Sequence, residues 1–97
     1  MIIYNPNSGN RKNRKDEISK GLDAAGIPYE FYSTKGPFDS FYHSNSFNID
    51  DYSVLGAVGG DGTHHEVVNG ILKRADKKKI ALWLIPNGSG NAYVANF

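Results

Sequence analysis

Ile80, Ala81, Leu82, Trp83, Leu84 and Ile85 form an apolar run with no polar break. A strand whose every side chain is apolar must be covered on both faces, which places it inside a parallel sheet flanked by helices. Met1–Tyr4 and Ser53–Val58 are similar short runs, and Pro28–Ser33 alternates around Tyr29, Phe31 and Tyr32, giving four predicted strands. Helix-compatible stretches separate them. From about Asn13 to Ala25, residues Ile18, Leu22 and Ala25 recur at helical spacing, Asn13 can cap, and Gly26 followed by Pro28 stops the helix. Gly21 weakens that helix by about 1 kcal/mol relative to alanine. A second helix is predicted over Thr63–Arg74, with Val67, Val68, Ile71 and Leu72 on one face. A last helix is expected from about Asn91 to the end. Lys35–Asp50 carries Phe38, Phe41, Tyr42 and Phe47 among Ser, Asn, Asp and Gly without a sustained period, and is predicted as a loop with one short helical turn. The expected architecture is α/β, an open parallel sheet in a three-layer, Rossmann-like arrangement.

With 97 residues, 39% of them hydrophobic, the chain suffices for one small domain, whose burial leaves a thin margin over chain entropy. A formal net charge of +1 lacks the basic excess of nucleic-acid-binding domains, so no nucleic acid partner is expected. The absence of cysteine excludes disulfides and thiolate metal sites. The N-terminus lacks a basic segment followed by a long apolar stretch, and no apolar run approaches the ~20 residues of a membrane span. A cytoplasmic protein is the resulting expectation. Asn87-Gly88-Ser89 matches a glycosylation sequon, a pattern with little weight without a secretory leader.

Gly59-Gly60-Asp61-Gly62-Thr63 lies directly after a predicted strand and before a predicted helix, where successive backbone N–H groups and the positive helix end can converge on an anion. Without Cβ atoms at Gly59 and Gly60 the backbone can approach phosphate closely, and Gly62 is expected to permit the turn. An ordinary βα turn would account for the glycines alone. Asp61 shifts the balance, because a carboxylate beside an anion is unfavourable unless it holds Mg²⁺ or takes a proton from an attacking hydroxyl. Thr63 and Glu66 also satisfy the Thr-x-x-Glu capping box, worth about 0.5–2 kcal/mol through its cap residue without any ligand. The His65-Glu66 pair is no metalloprotease motif, since Asn69 stands where the second histidine belongs. No P-loop sequence is present. Gly88-Ser89-Gly90 is followed by Tyr93 where a dinucleotide fingerprint requires glycine or alanine.

Four segments, Asn5-Pro6-Asn7-Ser8-Gly9, Gly59-Gly60-Asp61-Gly62-Thr63, Glu66-Val67-Val68-Asn69-Gly70 and Pro86-Asn87-Gly88-Ser89-Gly90-Asn91, occur in the order and approximate spacing of the catalytic domain of diacylglycerol, sphingosine and ceramide kinases. The sequence resembles the first of that family's two lobes along its whole length, residues 1–97. The resemblance implies an NAD kinase- and phosphofructokinase-like fold for this lobe, with a second, β-rich lobe, absent from the sequence, completing the lipid site. It implies ATP as phosphoryl donor, Mg²⁺, and a lipid hydroxyl as acceptor. By resemblance Asn5, Pro6, Asn7, Ser8 and Gly9 contact nucleotide, Gly59, Gly60, Asp61, Gly62 and Thr63 hold phosphates, and Glu66 orients the site. Gly88, Ser89 and Gly90 approach from the neighbouring strand, and Thr34 matches a nucleotide-contacting threonine. Asp61 matches the aspartate proposed as catalytic base in sphingosine kinases, whereas in bacterial diacylglycerol kinases a carboxylate of the second lobe is given that part. His65–Leu72 and Gly88–Ala92 look more like sphingosine kinases, which favours a sphingoid base over diacylglycerol. One departure is Lys35-Gly36-Pro37-Phe38-Asp39-Ser40, which does not match the Gly-His-Ala helix that follows the threonine in the family. NAD kinases share Gly-Gly-Asp-Gly-Thr but lack the Asn-Pro-x-Ser-Gly opening.

Arg11, Lys12, Arg14 and Lys15 lie beyond the first strand at a helix start, where the macrodipole disfavours cations by about 0.3–1 kcal/mol each. A phosphate at Arg11 or Lys12 would relieve that conflict, and an anionic membrane surface would attract the same charges. Lys77, Lys78 and Lys79 read as a solvated loop. The two function hypotheses are a lobe of a lipid kinase and a non-catalytic ATP-binding module. In either case a lobe without its companion is expected to expose apolar surface and self-associate.

Overall fold

The computed structural model describes residues 1–6 and 15–86 and the backbone of 93–96. Four parallel strands, β1 (Ile2–Tyr4), β2 (Phe31–Ser33), β3 (Val54–Gly59) and β4 (Ala81–Pro86), stand in the order β2-β1-β3-β4. A fifth, β5 (Tyr93–Asn96), pairs antiparallel with β4. Three helices complete the fold: α1 (Lys15–Ala24), α2 (Asp39–Ser46) and α3 (Asp61–Leu72). A 3₁₀ turn covers Ile49–Asp51.

The apolar runs become central strands because both faces are covered. Ile2, Tyr4, Val58 and Ile85 point to the α1 side and pack with Ile18. Ile3, Leu55, Ala57, Leu82 and Leu84 point the other way, onto Val67 and Ile71 of α3 and onto Phe47 and Ile49. Adjacent residues of one strand thus serve two cores, as the period of two requires. Helix α1 ends as its sequence implies: Gly26 adopts φ 69°, and the Ile27 N–H closes back on the Leu22 carbonyl at 3.0 Å, a Schellman closure.

Three expectations are corrected. Lys35–Asp50 is no loop with a single turn, since it contains two turns of α2 and the 3₁₀ turn. Helix α2 is held by tertiary contact, with Ser40 and Ser44 buried against α3. The helix expected from Asn91 is replaced over Tyr93–Asn96 by β5, because β4 offers an unfilled ladder that the segment completes. The second strand is shorter than the predicted Pro28–Ser33.

Candidate functional site

The parallel strands end along one edge in a fixed row. Tyr4 is in register with both Ser33 and Val58, and Gly59 with Pro86. The ladder runs one residue further: the Asn5 N–H donates to the Val58 carbonyl and the Thr34 N–H to the Tyr4 carbonyl, both at 2.9 Å. Asn5, Thr34 and Gly59 are therefore neighbours at the carboxyl ends of β1, β2 and β3. After β1 the chain moves to one side for β2 and then returns to the other for β3. The strand order reverses at that point, where open α/β sheets bind ligands.

Helix α3 starts at this edge. Its N-cap is Gly60, in extended backbone at φ −88°, and no side chain caps it. The capping box expected of Thr63 and Glu66 is thus not formed, because the helix begins at Asp61 and Thr63 already lies in its first turn. Thr63 is buried, and its Oγ1 accepts a 2.9 Å hydrogen bond from Asn5 Nδ2. This bond joins the turn after β1 to the glycine loop after β3, two motifs 58 residues apart. Glu66 is half-buried one turn later.

The glycines of the loop have different causes. A Cβ on Gly59 would lie 2.6 Å from the Thr63 side chain, so packing requires glycine there. Among the described residues a Cβ on Gly60 or Gly62 would meet nothing within 4 Å, and neither has positive φ. Gly62 is thus not needed for the turn, contrary to expectation, and at neither position does another described residue occupy the space a Cβ would take. Asp61 is exposed, and its carboxylate makes no hydrogen bond or ion pair with another described residue. Its place in the first turn also suits the helix dipole.

His64 had no assigned role in the sequence. Its buried Nε2 lies 3.1 Å from the Ile85 carbonyl; a carbonyl only accepts, so Nε2 carries the proton. The contact pins the first turn of α3 to the end of β4, next to Pro86. Asn7, Ser8, Gly9, Gly88, Ser89 and Gly90, and with them Arg11 and Lys12, lie outside the described residues. Pro6 is exposed beside Asn5. Lys15 places its ammonium 5.2 Å from the Phe31 ring centre, and Lys78 pairs with Asp50.

The loop after Thr34 is closed upon itself. Asp39 Oδ2 accepts from the Lys35 N–H at 2.8 Å, and the Tyr32 hydroxyl donates to both Asp39 oxygens at 2.8 and 3.0 Å. The hydrogen bond to Asp39 raises the Tyr32 hydroxyl above its ordinary pKa. His43 stacks on Tyr32 at 3.8 Å, and burial lowers its pKa. Phe38, which caps α2, is left in the left-handed region at φ 64°, a conformation that costs a non-glycine residue about 1–3 kcal/mol.

A cleft of about 360 Å³ lies at the opposite edge, where the strands begin, lined among others by Leu22, Tyr29, Tyr52, Val54 and Trp83. It contains none of the motif residues. Burial first, and Glu30 second, raise the Tyr52 pKa. Among the described residues no three His, Asp or Glu side chains gather as a metal cluster, and no helix is long and apolar enough to cross a membrane.

The known proteins that this chain resembles agree with the motifs. A diacylglycerol kinase of Staphylococcus carnosus is 37% identical over 94 residues, covering 95% of this chain and 30% of its own length. Sphingoid long chain base kinase 5 of Saccharomyces cerevisiae is 37% identical over 99 residues, covering 95% of this chain and 14% of its own length. A crystal structure of a diacylglycerol kinase from Bacillus anthracis superposes with a TM-score of 0.70 at 27% identity, over 90% of this chain and 32% of that one. This chain therefore spans less than a third of the length of these relatives. The family model for the diacylglycerol kinase catalytic domain matches residues 1–97, and the chain belongs to that family.

Proposed function

We propose that the chain is the nucleotide-binding half of an ATP-dependent lipid kinase, in which the γ-phosphoryl group passes to a lipid hydroxyl, a sphingoid base in preference to diacylglycerol. The observation that carries this reading is the loop's place at the carboxyl ends of β1 and β3, where it opens α3: among the described residues nothing lies within 4 Å of where a Cβ on Gly60 or Gly62 would stand, and a phosphate on the first N–H groups of α3 would use that space. Thr63, held by Asn5, lies in the same first turn of α3.

In the transfer, the acceptor oxygen bonds to the γ-phosphorus as the bond to the β-phosphate oxygen breaks to release ADP, and the hydroxyl proton passes to Asp61 or, where Asp61 instead positions Mg²⁺, to a carboxylate of the second lobe. The backbone amides hold the charge that spreads over the transferring group, so the lobe contributes mainly positioning. Mg²⁺ fits the donor set: it keeps several waters and takes one or two carboxylates beside phosphate oxygens, and Asp61 is an exposed carboxylate at the loop. When bound, it would neutralise charge on the β- and γ-phosphates. The acceptor lipid and peripheral membrane contact belong to the whole protein and are part of the same proposal, as is self-association of the lobe without its companion.

Titration with Mg-ATP, wild type against Gly60→Asp, tests the seat. The substituted side chain meets no described residue, so the fold should persist while its carboxylate repels phosphate. Binding by the wild type and its loss in the variant are expected. A folded wild type that binds no nucleotide at millimolar concentration would overturn the reading.

A further inference from the structure

Helix α2 holds a buried polar atom without a partner. Nε2 of His43 is shut off from solvent, and among the described residues no group bonds to it. The ring lies flat on Tyr32 of β2, 3.8 Å between centres and 2° between planes, and nearly parallel to Phe47, which ends the helix, at 6.0 Å. A neutral imidazole tolerates such a place, because one of its nitrogens carries no proton. An imidazolium carries a proton on both, so charging His43 would set an unpaired donor where neither water nor an acceptor meets Nε2.

The described groups that face this ring do not supply the missing acceptor. Asp39, one turn earlier in α2, draws a proton toward His43, yet burial opposes it with the larger effect. Both Asp39 oxygens are already engaged by the Tyr32 hydroxyl, and Oδ2 also by the Lys35 N–H. Beyond Phe47, Arg74 keeps its guanidinium 5.2 Å from that ring and paired with Asp76, so the α3 side offers a cation. Tyr52, tilted against Phe47 at 5.7 Å, stays neutral because burial raises its hydroxyl above the ordinary pKa.

One titratable ring therefore joins three parts of the molecule. Tyr32 stands two residues before Thr34, Asp39 closes the loop that follows it, and Ser44, next to His43, is buried against Gly70 of α3. We propose that His43 is a proton-operated latch: neutral, it holds the loop after β2 and helix α2 closed on the sheet; protonated, it leaves the Tyr32 stack and opens the loop. The freed ring then competes with Tyr32 and Lys35 for Asp39. This device does not depend on the phosphate reading above. Burial sets its sign. The closed form holds the ring below its ordinary 6.5, so the open form takes up the proton more readily. Closure is fully favoured above about 6.5 and is lost as pH falls from there toward the folded value, with opening rising about tenfold per pH unit in that window.

Hydrogen exchange of the Lys35 amide and NMR titration of the His43 ring, both from pH 7.5 to 5, test the latch. Protection of that amide, corrected for the intrinsic pH dependence of exchange, should fall about tenfold per pH unit below about 6.5, and the ring should titrate below that value. His43→Phe keeps a ring in the stack that cannot charge. Its amide protection should be flat over the range, and the gap between its thermal midpoint and that of wild type should widen as pH falls. His64 and His65 are present in both proteins and cancel in that difference. A wild-type His43 that titrates at or above its ordinary value overturns the proposal, and this measurement needs no variant. Midpoints that stay parallel overturn it as well. So does a widening gap with Lys35 protection unchanged, because the charge would then act on packing without reaching the loop. Tyr32→Phe releases Asp39 from the hydroxyl and should move the His43 titration upward; a titration that does not move would overturn Asp39 as the group to which the freed ring turns.

Discussion

A Cβ on Gly62, in the first turn of α3, would meet no described residue within 4 Å, whereas a Cβ on Gly70, in its last turn, would lie 1.8 Å from Ser44 Oγ and 2.7 Å from the Phe41 carbonyl. The far end of the helix is bonded throughout. Asn45 Nδ2 donates to the Gly70 carbonyl at 3.0 Å, and Arg74, buried over the Phe47 ring, donates to the Ser44 carbonyl and to both Asp76 oxygens. At the near end Asp61 is exposed, and no described residue lies within 4 Å of where a Cβ on Gly60 or Gly62 would stand. One helix thus carries glycine in two opposite settings: contact at one end, no described neighbour at the other. A glycine in a motif does not declare which it is; its surroundings do.

The contrast can be broken most severely at Gly70. Gly70→Ala should cost at least the upper part of the about 1–3 kcal/mol typical of overpacking, enough to show as a large drop in urea midpoint. Because the Phe41 carbonyl is backbone, Ser44→Gly should restore only part of the loss; full restoration would place the contact at the serine alone. Gly62→Ala should act in the other sense. Replacing glycine in a helix gains about 1 kcal/mol of stability, while Mg-ATP affinity should fall about tenfold if the open space is a phosphate seat. Unchanged affinity in that variant would remove the distinction between the two ends. The smallest effect concerns Asp76, whose pKa is lowered to about 2 by its hydrogen bond from Arg74 and then by the Lys78 N–H. A carboxylate depressed in the folded state contributes stability above its ordinary value near 3.8, and that contribution is lost as pH falls toward about 2. Melting temperatures from pH 5 to 2 should therefore converge for wild type and Asp76→Asn.

The parallel sheet, α1 with its glycine stop, and α3 were legible because their apolar residues recur at clear periods. Helix α2 was not, because the side chains it buries against α3 are Ser40 and Ser44, and its partner is a glycine. No hydrophobic period can announce a contact made of small residues. Thr63 satisfied a capping pattern in the sequence, yet its hydroxyl is engaged by Asn5, a pairing across 58 residues that local spacing does not contain. His64 was invisible for the same reason, since its partner is a backbone carbonyl of β4. Tyr93–Asn96 lay beyond local reading, its strand form being set by β4. The motif residues that are described, Asn5, Thr34 and Gly59–Thr63, do converge on one edge, as the order of segments implied.

The pairing of β1 with β3 has a kinetic consequence. On that side Ile2 pairs with Gly56, so the Asn5–Thr63 contact closes only when a loop of more than fifty residues has been drawn in. The entropy of that closure must be met before the contacts return it, which makes such pairings late events in folding. A chain that has formed α1 and β2 alone therefore has no seat for an anion. Asn5 meets Thr63 only after α3 has been brought to the edge of the sheet.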